Sequence, residues 1–323
     1  MSQVYSLDPH TVLDSEAWPI QEYRDWSVRN TGLDRLPFKG EGQLIGILDT
    51  EVDIRHPDLD GQVEYIDFIL NGVDVGLPMM PAHGTFVAGQ LVGREDGQGL
   101  VGAAPKANAV CGRVLYGNSA DLSRPDTSED IAYGIDECVS AGCGVISMSF
   151  GSIDRSSLLE RTINKAVDDG VILVASAGND KLFGSPSRLY PAAYPGVISV
   201  ASADEYGLPA WFSSVGDGND DQPSAQPEIA ISSKPFYWGC MPGGRYGRMI
   251  GTSMATPIVA AVAALWLEAR TEAGTLPSGP DVLKRFRSWL HRVVNDTNNN
   301  GWDPELGYGT LLLDADELED FGL

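Results

Sequence analysis

Short apolar runs bounded by glycine recur along the chain and alternate with segments whose apolar residues return at helical spacing. Runs of this length, rich in branched residues, are typical of strands that are covered on both faces. The runs that predict strands are 44–48, 109–115, 145–150, 171–177 and 197–201. Apolar residues recur at helical spacing in two segments, which predicts a helix in each. They are Ile131, Ile135, Cys138 and Val139 in the first, and Leu158, Ile163 and Val167 in the second. The alternation predicts an α/β fold in which helices cover both faces of a central, mostly parallel sheet.

Two longer apolar segments near the C-terminal end predict further helices. The stretch 254–267 is too short to cross a bilayer and contains Pro257 early, so it is interpreted as a buried core helix. The segment 281–293 carries its apolar residues on one face, which favours packing against the rest of the domain.

Residues 1–42 are polar and are expected to be irregular, with Trp18, Tyr23 and Trp26 as isolated anchors. The first residues contain no basic stretch followed by an apolar core, so no signal peptide is visible and a cytoplasmic protein is expected. Four cysteines without zinc or disulfide-scaffold spacing agree with reduced thiols.

The chain is strongly acidic, with 45 acidic against 22 basic residues in 323 and a formal net charge of −23. Such a charge repels phosphate backbones, so nucleic acid is not expected as a partner, and neither is a membrane. The acidic residues are spread along the chain, which fits either a solvated surface that maintains solubility or adaptation to high salt. The oligomeric state cannot be read from the sequence.

The chain contains candidates for the aspartate, histidine and serine of a catalytic triad, and they occur along the sequence in that order. Asp49 closes the first apolar run, His83 starts a Gly-rich helical segment, and Ser253 lies at the start of the 254–267 segment. A serine at a helix start has free backbone N–H groups and the positive end of the helix dipole beside it. Each residue alone also fits a structural role, as a turn residue or a helix cap. The three together in this order favour catalysis.

The motifs around these residues resemble those of the subtilisin-like serine proteases, the subtilases. The matching strings are Leu48-Asp49-Thr50, His83-Gly84-Thr85, Ser176-Ala177-Gly178-Asn179 and Gly251-Thr252-Ser253-Met254-Ala255. The resemblance covers about residues 43–315, which leaves 1–42 as an N-terminal extension and 316–323 as a tail. The extension is either a short pro-segment lying across the cleft or a belt packed on the back of the domain.

The resemblance implies an endopeptidase that hydrolyses peptide bonds of extended peptide or protein segments through an acyl-enzyme. His83 would be the general base, Asp49 would orient it, and Ser253 would be the nucleophile. Asn179 would donate to the oxyanion beside the backbone N–H of Ser253. One alternative is a catalytically silent binding module on the same fold, against which the four intact residues argue. Another is an enzyme dedicated to one partner protein rather than a broad digestive protease.

The resemblance also implies the substrate-binding residues. Ser149, Phe150 and Gly151 match an edge strand that pairs with an extended peptide, a mode that gives main-chain hydrogen bonds and side-chain pockets. The opposite edge of the cleft is expected at Gly117, and the pocket wall at Ser176 and Gly178. Near the pocket, Leu189 would shorten it whereas Asp180 would favour a basic side chain, so the preference stays open.

A structural calcium ion is the one cofactor that the resemblance implies. Asp96 in the acidic, Gly-rich loop 94–100 and Asp58 match two of its ligands, and calcium prefers several oxygen ligands. The competing interpretation is an ordinary acidic turn. The chain departs from the family's pattern at Glu51, at Phe86 and at Ile258, none of which is a triad position.

Overall fold

The computed structural model describes residues 21–68, 82–115, 127–181, 188–216, 226–296 and 301–313. Within these residues the chain forms thirteen strands, six α-helices and one 3-10 helix, Leu33–Arg35. The strands are β1 (Tyr23–Arg24), β2 (Leu44–Asp49), β3 (Val63–Asp67), β4 (Leu100–Val101), β5 (Asn108–Arg113), β6 (Val145–Met148), β7 (Ile172–Ser176), β8 (Val197–Ala203), β9 (Ile229–Ser232), β10 (Tyr237–Met241), β11 (Arg245–Met249), β12 (Val294–Asn295) and β13 (Thr310–Leu311). The helices are α1 (Trp26–Thr31), α2 (Ala82–Val92), α3 (Thr127–Ser140), α4 (Ser157–Asp168), α5 (Thr252–Glu272) and α6 (Asp281–Leu290).

A nine-stranded sheet forms the centre of the described part of the chain, in the order β12-β13-β9-β8-β7-β6-β2-β5-β3. Every pair is parallel except β12 with β13. The predicted α/β fold with a mostly parallel central sheet is therefore confirmed. The five predicted strand runs correspond to β2, β5, β6, β7 and β8.

Helices cover both faces of this sheet, as the burial of its strands on both sides requires. One core cluster joins apolar residues of α2, α5 and α6 to the sheet, and a second joins α3 and α4. Among the described helices, α5 is the one long and apolar enough to cross a membrane, and its apolar window is wholly buried inside the protein. The predicted core helix is thus confirmed. On α4, Ile163 is buried and Val167 packs against the core as predicted, whereas Leu158 is exposed and its neighbour Leu159 packs inward instead.

The segment before β2 is more ordered than its polar sequence suggested. Asp25 accepts a hydrogen bond from the Ser27 N–H (2.9 Å) and so caps α1, and its second oxygen accepts one from the Trp238 N–H (2.8 Å). Val28 and Leu33 are buried, whereas the predicted anchor Trp26 is only half-buried. The prediction of an irregular segment is wrong for residues 23–35, which contain β1, α1 and a short 3-10 helix, and Trp18 lies outside the described residues.

The four cysteines are buried and carry free thiols. The Cys138 Sγ on α3 lies against Gly46 of β2, where an added Cβ would come within 2.7 Å of it. Burial raises the pKa of Cys111, so this thiol stays protonated and behaves as a small apolar side chain.

Candidate active site

The chain order of the sheet reverses where β2 lies between β5 and β6. In open α/β sheets, ligands bind beyond the carboxyl ends of the strands at such a reversal. Asp49 is the last residue of β2, Ser149 follows β6 directly, and Asn179 lies three residues beyond β7. The topology therefore brings these three residues to one edge of the sheet.

Asp49 and His83 form a buried pair at this edge, with 2.7 Å between Asp49 Oδ1 and His83 Nδ1. The same carboxylate oxygen accepts the Thr50 N–H at 2.7 Å. Because an ionised carboxylate can only accept, His83 Nδ1 must carry the proton in this contact. The neutral imidazole then has its lone pair on Nε2, which is the tautomer that a general base needs.

The start of α2 is fixed to the end of β2 by two side chains. The Gly84 N–H donates to Thr50 Oγ1 (3.0 Å), and the Asp53 N–H donates to Thr85 Oγ1 (2.8 Å). An added Cβ at Gly84 would lie 2.8 Å from the carbonyl oxygen of Thr50, so only glycine permits this approach. The position of His83 opposite Asp49 follows from these contacts.

Ser253 is the second residue of α5, and Gly251 with φ of 148° precedes the helix without a side-chain cap. The Ser253 hydroxyl donates to the Ser149 carbonyl at 3.0 Å, and the Ser149 hydroxyl donates back to the Ser253 carbonyl at 2.8 Å. This reciprocal pair ties the first turn of α5 to the end of β6. Rotation about χ1 is the movement that would turn the Ser253 hydroxyl toward another acceptor.

Asn179 has a defined amide orientation. Its Oδ1 accepts the Thr252 N–H (3.0 Å) and the Thr252 hydroxyl (3.1 Å). Because a backbone N–H can only donate, the oxygen of the amide must face Thr252, which leaves the NH₂ group as the other end of the side chain. Asn179 therefore caps the first turn of α5 with its oxygen, and this cap does not use the N–H donors of its amide.

The predicted substrate edge is formed by the segment after β6, in which Ser149, Phe150 and Gly151 are all buried. The predicted pocket wall follows β7, where Ser176 is buried and Gly178 adopts a positive φ of 106°. Gly117, predicted for the opposite edge, lies outside the described residues.

Leu189 lies between these two walls and is fully buried. An added Cβ at Gly151 would be 3.1 Å from the Leu189 Cβ, and one at Gly178 would collide with the Leu189 Cδ1. Gln226 holds this arrangement, since it accepts the Leu189 N–H (3.3 Å) and donates to the Ala177 carbonyl (2.9 Å). Sequence reasoning missed Gln226, because nothing local connects residue 226 with residue 177.

The two residues predicted to bind calcium lie at one loop. Asp58 is buried, and its Oδ2 accepts the Leu100 N–H (2.8 Å), whereas Asp96 is exposed and its Oδ1 accepts the Gln98 N–H (3.2 Å). A third carboxylate, which the sequence gave no reason to expect, accepts the Gly97 N–H through Glu22 Oε2 (2.9 Å). The three carboxylates thus accept backbone N–H groups of residues 97–100, and carboxylate oxygens are ligands that calcium prefers. Among the described residues, the side chains whose ligand atoms gather within 4.8 Å of one another are instead His56, Asp58 and Cys240.

Phe86 and Ile258, which depart from the family's pattern, are both fully buried in the same core cluster. The Phe86 ring lies on Gly239 of β10, where an added Cβ would collide with it. Glu51 is half-buried on the loop after Asp49. Phe86 and Ile258 therefore alter core packing rather than the edge that carries Asp49 and His83.

The protein is thus of the class of α/β proteins that have a catalytic-type site at the carboxyl edge of a parallel sheet. A buried Asp–His pair lies at this edge, and so does a serine at a helix N-terminus. The sequence model of the subtilase family matches residues 40–309, and the chain belongs to this family.

Curated relatives align with most of this chain. Fervidolysin of Fervidobacterium pennivorans is 34% identical over 316 residues, which are 90% of this chain and 43% of that protein. Subtilisin NAT of Bacillus subtilis subsp. natto is 35% identical, with 89% of this chain and 66% of that protein covered. The thermophilic serine proteinase of Bacillus sp. (strain AK1) is 38% identical, with 69% of this chain and 52% of that protein covered. The chain thus spans less than two thirds of the length of each of these relatives.

Proposed function

We propose that the protein is a serine endopeptidase that cleaves extended peptide segments through an acyl-enzyme. The observation that carries this proposal is the buried 2.7 Å contact between Asp49 and His83, at the sheet edge that also holds Ser253 and Asn179. Membership of the subtilase family and the similarity to a protein named as a serine proteinase support it. A silent binding module would have no use for an imidazole held in the basic tautomer.

In the proposed reaction the Ser253 hydroxyl turns from Ser149 and attacks the scissile carbonyl, while His83 Nε2 takes its proton. The oxyanion accepts hydrogen bonds from the Asn179 amide and the Ser253 backbone N–H. Collapse breaks the C–N bond, and the imidazolium returns the proton to the leaving amine. Water then attacks the acyl-enzyme while His83 takes its proton, and collapse releases the carboxylic acid and returns the proton to Ser253. Asp49 stabilises the imidazolium during both acylation and deacylation.

The test is covalent labelling by a fluorophosphonate probe, which reacts with activated serines. The wild-type protein is expected to be labelled and the Ser253→Ala variant is not. Ser288→Ala, which removes an exposed serine on α6, is the matched control and should label like wild type. An unlabelled wild-type protein of native fold would refute the proposal and favour the binding module, whereas hydrolysis of casein would favour a broad substrate range.

For substrate preference we infer a small side chain on the acyl side of the scissile bond. Support comes from Leu189, which fills the space between the glycine walls at Gly151 and Gly178. Leu189→Ala is expected to raise kcat/KM for a phenylalanine substrate about tenfold or more relative to an alanine substrate, because each added methylene in an apolar pocket gains about 1 kcal/mol or more. Leu283→Ala, a buried leucine on α6 in the core cluster of α2, α5 and α6, is the control for lost core packing. An unchanged ratio in Leu189→Ala would contradict the inference.

We propose that a structural calcium ion binds at the loop 94–100, with Asp96 and the neighbouring Asp58 among its ligands. Support comes from the three carboxylates of Asp58, Asp96 and Glu22, which accept backbone N–H groups of residues 97–100. Calcium at about a hundredfold excess over its Kd should stabilise the fold by about 2.7 kcal/mol and raise Tm by several degrees relative to EDTA. Asp58→Asn should lose this shift, and Asp60→Asn, which removes an exposed neighbouring carboxylate, should keep it. Equal wild-type Tm values in calcium and EDTA would contradict the proposal.

A further inference from the structure

A cleft of about 750 Å³ lies beyond the carboxyl ends of β8 and β9, and the catalytic steps proposed above do not use it. A volume of this size suits a side chain or a small ligand. The lining residues that matter for its chemistry are Tyr206, Trp211, Phe212, Lys234, Phe236 and Ile250.

The strand order connects this cleft to the candidate active site. Along the carboxyl edge of the sheet, the residues after β6 and β7 form the pocket walls at Gly151 and Gly178, and β8 and β9 come next. Neighbouring strands are about 4.8 Å apart, so the cleft begins about 5–10 Å from β7, which Asn179 follows. It lies on the side of β7 away from β6.

Two residues of the cleft belong to segments that hold the proposed catalytic groups. Ile250 is three residues before Ser253, on the turn that leads into α5. The Phe212 carbonyl accepts the Lys181 N–H at 3.3 Å, two residues after Asn179. The apolar floor of the cleft is therefore continuous with the edge at which a substrate would be cleaved.

The walls of the cleft are aromatic and open to solvent. Tyr206 and Trp211 are 76% and 49% exposed, whereas Phe212 and Ile250 beneath are buried. The turn that presents Tyr206 is preformed, because Asp204 Oδ1 accepts the N–H groups of both Tyr206 and Leu208 at 2.9 Å. Exposed rings over a buried apolar floor are typical of a site that stacks on another apolar group.

We propose that this cleft binds an aromatic side chain of the peptide substrate on the C-terminal side of the scissile bond. The inference rests on the proposed endopeptidase function, which supplies the peptide and its direction. The acyl side of the substrate occupies the pocket between Gly151 and Gly178, so the leaving side runs the other way, toward β8 and β9. At about 3.3 Å per extended residue, the aromatic residue lies about two or three positions beyond the cleaved bond.

Binding to a catalytically blocked protein tests the cleft independently of hydrolysis. The Ser253→Ala variant is titrated with peptides that span the cleavage site and differ only by phenylalanine or glycine at each of the first four leaving-side positions. Phenylalanine at one of them is expected to bind about tenfold more tightly. Adding Trp211→Ala or Tyr206→Ala should remove this difference, and Leu276→Ala, an exposed leucine after α5, should keep it.

Kinetics on the active protein separates this proposal from the proposed function. Trp211→Ala should lower kcat/KM about tenfold for the phenylalanine peptide and leave unchanged a p-nitroanilide that has no residue on the leaving side. If phenylalanine were not preferred at any of the four positions, the proposed binding of an aromatic side chain in the cleft would be refuted. A preference that persists in both Trp211→Ala and Tyr206→Ala would refute it as well. Failure of the wild-type protein to hydrolyse either substrate would instead refute the endopeptidase function, and the titration would still decide whether the cleft binds an aromatic side chain.

Discussion

Asp49→Asn is expected to lower kcat by about 10⁴ with little change in KM. Asp49 Oδ1 accepts His83 Nδ1–H, so the carboxylate selects the tautomer whose lone pair is on Nε2. The asparagine amide can instead donate to Nδ1, which moves the ring proton to Nε2 and leaves no base for the Ser253 hydroxyl. The measurement is steady-state hydrolysis of a peptide, together with the rate of fluorophosphonate labelling, which should fall in parallel.

Asp53→Asn is the matched control on the same loop, because Asp53 accepts the Arg55 and Gly243 N–H groups rather than His83. It should keep kcat within a few-fold of wild type. Nitrogen NMR of the four histidine side chains adds a structural readout, because the chemical shifts of the ring nitrogens report the tautomer. Only the His83 ring is expected to change tautomer in Asp49→Asn. A kcat within tenfold of wild type would mean that Asp49 does not orient the proposed base.

The positions of Asp49, Ser149 and Asn179 could be predicted because they depend on a local signal. Asp49 and Asn179 follow apolar runs of strand length, and Ser149 lies at the carboxyl end of another. Parallel strands bring these ends to one edge of the sheet whatever lies between them. The pairing of Asp49 with His83 was predicted from matched motifs, since the two residues are 34 positions apart. Burial on both faces of the sheet likewise followed from the uninterrupted apolar runs.

Contacts that join distant segments had no comparable signal. The capped helix α1 depends on Asp25, whose second oxygen reaches Trp238 across 213 positions, so its polar sequence alone suggested an irregular segment. The reciprocal hydrogen bonds of Ser149 and Ser253 are similar, because the sequence assigned Ser149 to substrate binding and not to support of the nucleophile. The third loop carboxylate, Glu22, lies 75 positions from the N–H group that it accepts.

The aromatic cleft could not be predicted from the sequence for the same reason. Tyr206 and Trp211 lie in a turn rich in Gly and Pro, and Phe236 follows another. Only the adjacency of β8 and β9 brings these turns together. Exposed aromatic residues in separate loops carry no periodic pattern that would indicate a shared surface.

Asn179→Ala is expected to lower kcat by about 10²–10³ with little change in KM, a magnitude taken from removal of one oxyanion donor in subtilisin. The donor acts on charge that develops in the transition state, so its loss affects turnover more than binding. Asn179 Oδ1 also accepts the Thr252 N–H, and alanine therefore removes a cap from α5. That second loss should lower the free energy of unfolding by about 0.5–2 kcal/mol.

Asn179→Asp separates the two roles, because aspartate keeps an oxygen for Thr252 and removes the amide donor. A negative charge at a helix N-terminus is favourable, so the start of α5 should remain intact. We expect kcat in Asn179→Asp to fall at least as far as in Asn179→Ala, since a carboxylate also repels the oxyanion, while Tm stays near that of wild type. Asn164→Ala, an exposed asparagine on α4, is the control for both measurements. If Asn179→Asp kept kcat within a few-fold of wild type, the oxyanion donor would have to be another group, and the role of Asn179 would be confined to capping α5.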